Sequence, residues 1–197
     1  MENVTINKSI HLSEHFTLGE LTKTSTGMMN IPSRVSIENM KRVCGWLEAL
    51  RARYNLRYVL GGSSSSPKLG EDRRGLNERQ VSPSSDHPAH PGTPPDSGGE
   101  KDTEEPIIIS SGYRSPEVNR KVGGAPTSNH LTGCAVDIRV YGIEQAMRYA
   151  VILMDYADET RQDYDELLIE RNRSGRYWVH FAVRPKDNRR KTSFIMT

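Results

Sequence analysis

The chain has 197 residues, 35% of them hydrophobic, with a formal net charge of +2 and two cysteines, Cys44 and Cys134. That length suits about one domain, and so small a charge gives no argument for a nucleic-acid partner even though basic residues gather between Arg171 and Lys191. The cysteines form neither a disulfide framework nor a Cys-x-x-Cys pair, no segment is apolar for long enough to span a bilayer, and the first residues lack the pattern of a signal peptide; a monomer made in the cytoplasm is expected.

The first helix signal is Phe16-Thr17-Leu18-Gly19-Glu20-Leu21. Thr17 serves as N-cap, Glu20 closes a capping box three residues later, and Phe16 and Leu21 make a hydrophobic staple. A second helix starts near Val35-Ser36, with Ile37, Met40, Val43, Cys44, Leu47 and Leu50 recurring at helical spacing; Cys44 on that stripe reads as a packing thiol. Residues 54–60 read as a short strand. From 61 to 105 the composition turns to glycine, serine, proline and charge, with too few apolar side chains to offset the entropy of ordering, so this tract is expected to be a disordered insertion. His87 and His90 lie within it and lack a rigid support for a metal.

Residues 106–110 form an apolar, β-branched run expected to be a buried strand. Ser115-Pro116-Glu117 opens a helix that carries Val118, Asn119 and Val122 and ends at Gly123-Gly124. Residues 134–140 alternate, which puts Cys134, Val136 and Ile138 on one face and Ala135, Asp137 and Arg139 on the other. Residues 143–154 form a helix with Ile143, Met147, Ala150, Val151 and Met154 on its apolar side. Residues 167–170 and 177–183 make a hairpin turning through Asn172 to Gly175, and the basic run 184–191 reads as a solvated tail. The order of elements predicts an α+β fold, a small and largely antiparallel sheet with N-terminal helices packed on it.

Within this frame His130 and Asp137 stand seven residues apart on either side of Gly133, and His180 follows on the last strand, next but one to Trp178. Two histidines and one aspartate are a three-ligand zinc set with one position open, the arrangement of catalytic sites, whereas structural zinc is usually closed by four ligands. The parity of the 134–140 strand turns Cys134 toward the core and away from that set.

Ser-Gly-Tyr-Arg-Ser at 111–115 with Asn119, Val-Gly-Gly at 122–124, Ser-x-His-x-x-Gly-x-Ala-x-Asp from Ser128 to Asp137, Glu170, and Trp-Val-His at 178–180 closely resemble the M15 peptidases. These are zinc-dependent D-Ala-D-Ala carboxypeptidases and related L-Ala-D-Glu endopeptidases with the fold shared by the Hedgehog signalling domain. The resemblance covers most of residues 12–60 and 106–183 and makes 61–105 an insertion in a single peptidase domain. It implies His130, Asp137 and His180 as ligands of Zn2+ and Arg114 as the group that grips a substrate carboxylate, a structural ion pair being the alternative for this arginine. Tyr113 and Ser128 become pocket groups. Many members carry an acid three residues before the last zinc histidine, where this chain has Tyr177, a poor base at neutral pH. The resemblance to a closer branch then points to Glu170 as general acid/base, its face depending on the hairpin register, whereas Asp165 and Glu166 are expected to face solvent. The implied activity is hydrolysis of an amide in the peptidoglycan stem or cross-link peptide, by a protein reaching the cell wall after lysis or within a phage particle. A non-catalytic zinc-stabilised binding module of the same fold is the alternative.

Overall fold

The computed structural model describes residues 7–60 and 104–196. The tract 61–103, with His87 and His90, lies outside the described residues.

The capping box forms as the sequence predicts: Thr17 Oγ1 accepts from the Glu20 amide at 3.3 Å and Glu20 Oε2 accepts from the Thr17 amide at 2.8 Å. It starts α1 (Leu18–Leu21) and delivers Phe16, Leu18 and Leu21 to the core. Helix α2 (Arg34–Tyr54) is capped by Ser33 and buries the predicted stripe from Met40 to Leu50, including Cys44. The strand expected at 54–60 is absent. Instead α2 runs on into a π-helical turn, Asn55–Val59, where Tyr54 and Tyr58 meet with tilted rings 5.4 Å apart and Tyr54 packs edge-on against Tyr149 at 4.9 Å.

After the tract come β1 (Ile109–Ser111), α3 (Pro116–Lys121), a 3₁₀ turn (Asn129–Thr132), β2 (Ala135–Arg139), α4 (Ile143–Thr160), β3 (Glu166–Arg171), β4 (Tyr177–Ala182) and β5 (Lys191–Met196). The sheet has the order β1-β2-β4-β3-β5, antiparallel throughout except for the parallel β3/β5 pair. The α+β class with a largely antiparallel sheet is therefore found, in mixed form. Two further sequence expectations fail here. Helix α4 buries Ala146, Tyr149, Ala150, Ile152, Leu153 and Ala157, while Ile143, Met147 and Val151 are exposed. The helix carries two apolar stripes, and the one with Tyr149 wins because its ring fills the space against Tyr54. The basic run 184–191 is not a free tail: it leads into β5, which closes the edge beside β3.

One face of the sheet is the core. Val136 and Ile138, Val179 and Phe181, and Leu167 and Ile169 point toward α2 and α4, where Trp46 stands 4.9 Å from Tyr156 and 5.3 Å from Phe181. Residues on both sides of the tract thus share one core. Each fully buried large side chain there stabilises the fold by roughly 1.5–3 kcal/mol. The opposite face carries the polar chemistry. No described helix is long and apolar enough to cross a membrane.

Candidate metal centre and cleft

Ser128 caps the 3₁₀ turn that presents His130, its Oγ accepting from the His130 amide at 3.3 Å. The turn closes at Gly133, whose φ of +73° favours glycine and where a Cβ would stand 2.5 Å from the Ser36 carbonyl oxygen. His130 Nδ1 lies 2.6 Å from the Gly112 carbonyl oxygen. A carbonyl only accepts, so Nδ1 carries a proton, and Nε2, 3.3 Å from Asp137 Oδ1, is the ring nitrogen turned toward the carboxylate. Gly112 can bring its carbonyl there because a Cβ at that position would meet the Leu21 oxygen at 2.2 Å.

The sheet register brings in the other groups. Asp137 on β2 pairs with His180 on β4, and His180 Nδ1 lies 3.0 Å from the same Oδ1. His180 pairs in turn with Leu168, and Trp178 with Glu170, so Glu166, Leu168 and Glu170 share the face of His180 and Trp178. Glu170 thereby lies on the site face. Arg114, Ser128, His130, Asp137, Glu170 and His180 line one cleft of about 400 Å³ together with Trp178.

The expectation that Asp165 and Glu166 face solvent is overturned. Glu166 Oε2 lies 3.6 Å from His180 Nε2. Asp165 has no exposed surface; it accepts from Arg189 Nε and Nη2, both at 2.8 Å, and from Asn129 Nδ2 at 2.7 Å, with Arg184 Nε at 3.0 Å. That cluster ties the basic run to the residue preceding His130. The missed signal was parity: Glu166 and Glu170 are four apart on one strand and must point the same way.

Arg114 donates through Nη2 to Asp137 Oδ2 at 2.6 Å and through Nε to Ser111 Oγ at 2.9 Å. In this state it braces the carboxylate, the alternative weighed for it. Tyr113 does not join the cleft: it is buried in the core cluster, and its backbone is held by Leu21 and Asn30. An aromatic ring beside α1 and β1 gains more from that burial than from standing in a polar cleft. Cys134 is buried and outside the ligand cluster.

Burial works against the Asp137 carboxylate, yet the two imidazoles outweigh it and hold its pKa well below the ordinary range. Burial likewise opposes the His180 imidazolium, but its hydrogen bonds to Asp137 and Glu166 raise it to about 9. The His180 contact in turn brings Glu166 down to about 2. Glu170 moves the other way, raised by burial, with the Asp137 and Glu166 charges adding to the shift.

Zinc bonds of about 2.0–2.1 Å at tetrahedral angles place neighbouring ligand atoms about 3.3 Å apart. The two nitrogens stand 3.3 and 3.0 Å from Asp137 Oδ1, and the three ligand atoms lie within 4.8 Å of one another. The residues present, two imidazoles and one carboxylate with the His130 tautomer set by Gly112, fit a zinc ion.

Residues 100–165 match the family model described as Peptidase M15, which supports a peptidase of that family. No curated protein matches the chain. The matched span contains Arg114, His130 and Asp137, while Glu170 and His180 reach the same cleft from the hairpin beyond it, with Glu166 against the His180 ring.

Proposed function

We propose that the protein is a zinc-dependent peptidase of peptidoglycan, hydrolysing an amide of the stem or cross-link peptide as a carboxypeptidase or endopeptidase. The observation that carries this reading is the convergence of His130 Nε2 and His180 Nδ1 on one oxygen of Asp137, with the Glu170 carboxyl lining the same cleft. Bound zinc would supply an acidified water and polarisation of the scissile carbonyl. The other tasks belong to the chain. Asp137 and the two histidines would hold the ion. Glu170, whose burial favours the protonated form more than in water, takes the proton of the attacking water and returns it to the leaving amine. Arg114 fixes Asp137 through Nη2 and turns its remaining edge to a substrate carboxylate. Ser128 holds the turn that aims His130. Residues before and after the tract act as one domain, with 61–103 as an insertion.

The test is incubation of the purified, zinc-loaded protein with peptidoglycan and identification of released fragments by mass spectrometry. Free terminal amino acid would make it a carboxypeptidase, and internal cleavage an endopeptidase. Bound zinc, about one per chain and sharply reduced in His130→Ala, but no released fragment would favour a zinc-stabilised binding module instead.

A further inference from the structure

A second concavity, about 610 Å³, opens between α1, β1, the end of β2 and the β3/β4 turn, and it is lined by Lys23, Arg139, Arg176, Tyr141 and Trp178 among others. No acidic residue lines it, and among the described residues none of the three cations has an ion-pair partner, whereas Arg51, Arg53 and Arg57 on α2 and its extension are each paired. Three like charges around one hollow repel one another in the free protein, and an anion in the hollow relieves that repulsion. Arg139 also stands 5.6 Å from the Tyr141 ring, which limits the directions its guanidinium takes.

The position relative to the metal centre gives the hollow its meaning. Trp178 lines both this hollow and the cleft of His130, Asp137 and His180. Arg139 pairs with Trp178 across the sheet, two residues along from the Asp137 and His180 pair and on the same face. Two residues on a strand cover about 7 Å, and an extended peptide advances about 3.3–3.6 Å per residue. A substrate lying along this face with its scissile bond at the metal centre would therefore bring a side group about two residues away to Arg139.

We propose that this hollow is a substrate subsite for a carboxylate borne by the peptide about two residues from the scissile bond, with Arg139 and Arg176 as its charge partners, Lys23 adding to the field, and Trp178 as the wall between subsite and metal centre. An arginine meets a carboxylate with two parallel hydrogen bonds, so the subsite sets the register of the peptide as well as adding affinity. The inference rests on the peptidase reading, and the following experiment separates the two.

Two synthetic stem peptides, one with its side carboxylates free and the other with them amidated, are compared on the zinc-loaded wild type and on the double variant Arg139→Gln/Arg176→Gln. In the wild type the free acid should have a KM lower by about tenfold, the lower end for a charge-assisted contact because the arginines are open to solvent. In the double variant the two KM values should converge while kcat stays unchanged, since neither arginine lies in the metal cleft. Equal KM values in the wild type, or a preference that survives in the double variant, would overturn the subsite. If neither peptide is cut, the peptidase reading fails, and calorimetric binding of the same peptides to the same proteins reads the subsite directly. Tighter binding of the free acid that is lost in the double variant would sustain it, and equal or undetectable binding would overturn it.

Discussion

Glu166 Oε2 stands 3.6 Å from Nε2 of His180, on the opposite side of the ring from Asp137. A ligating histidine is usually held by a partner on its other nitrogen, which fixes the tautomer and ring orientation. Glu166 is itself held by Arg189 at 2.9 Å and Lys191 at 3.4 Å, so the edge strand β5 helps aim the imidazole. Glu166→Ala should weaken zinc affinity by about 10- to 100-fold, and Glu166→Gln, which keeps an acceptor for Nε2–H, should recover most of that loss. Competition with a chromogenic chelator measures both. Equal losses in the two variants would show that Glu166 acts through its charge and not as an orienting acceptor.

Glu170→Gln tests the proposed proton carrier. The amide occupies the same volume on β3 and leaves the three ligands untouched, so zinc content should equal that of the wild type. Turnover should fall by roughly 10²- to 10⁴-fold, the usual contribution of a positioned general base. Near-normal cleavage in this variant, with loss in Glu166→Gln, would transfer the role to Glu166.

Asp165 is a stability determinant with a defined pH range. Burial raises its pKa, but the hydrogen bonds from Arg189 and Asn129 and the Arg184 charge overcome this, and the net shift is downward. A carboxyl with a depressed folded pKa contributes stability at pH values above its unfolded value of about 3.9, and loses it as pH falls through the folded value. Asp165→Asn leaves two guanidiniums without their shared partner and should cost about 3 kcal/mol at pH 7, discounted from the cost of a wholly buried pair because Arg184 and Arg189 reach solvent. Denaturant unfolding at pH 7 and pH 3 checks the sign: the difference between wild type and variant should shrink at the lower pH.

Much of the site was legible because it is local. Ser128, His130, Gly133 and Asp137 lie within ten residues, where capping, a left-handed turn and strand parity act through nearest neighbours, and the alternation from 134 to 140 placed Asp137 opposite the core. The hairpin was legible from its turn residues, and Gly175 indeed adopts a φ of +82° there. What escaped depends on distant pairing. The roles of Asp165, Arg184 and Arg189 come from β5 lying parallel to β3, which no local pattern announces, and Tyr113 leaves the cleft because α1 and β1 enclose it. On α4 two apolar stripes were equally periodic, and only the aromatic contact between Tyr54 and Tyr149 decides which is buried.

The tract between α2 and β1 gives the last prediction, and its boundary matters. Glu105 donates its amide to Asn55 Oδ1 at 2.6 Å and accepts from Asn55 Nδ2 at 3.0 Å, while Arg51 pairs with Glu104 at 2.8 Å and Gln145 donates to Glu105 at 2.8 Å. The last two residues of the expected insertion thus belong to the folded domain, and they bring the returning chain alongside the end of α2. Replacing 61–103 by a Gly/Ser linker of about eight residues should change stability by no more than about 1.5 kcal/mol in the favourable direction, because the cost of closing a loop grows only with the logarithm of its length. Extending the deletion through Glu105 removes the partners of Asn55, Arg51 and Gln145. Asn55 is buried; its Nδ2 keeps the Arg51 carbonyl at 2.9 Å, but its Oδ1 is left without a donor, at a cost of about 1–3 kcal/mol. Denaturant midpoints of the two deletions should therefore differ, the longer one being less stable. Equal midpoints would show that the Asn55–Glu105 contact is dispensable, and a large loss in the shorter deletion would show that the tract itself contributes to the domain.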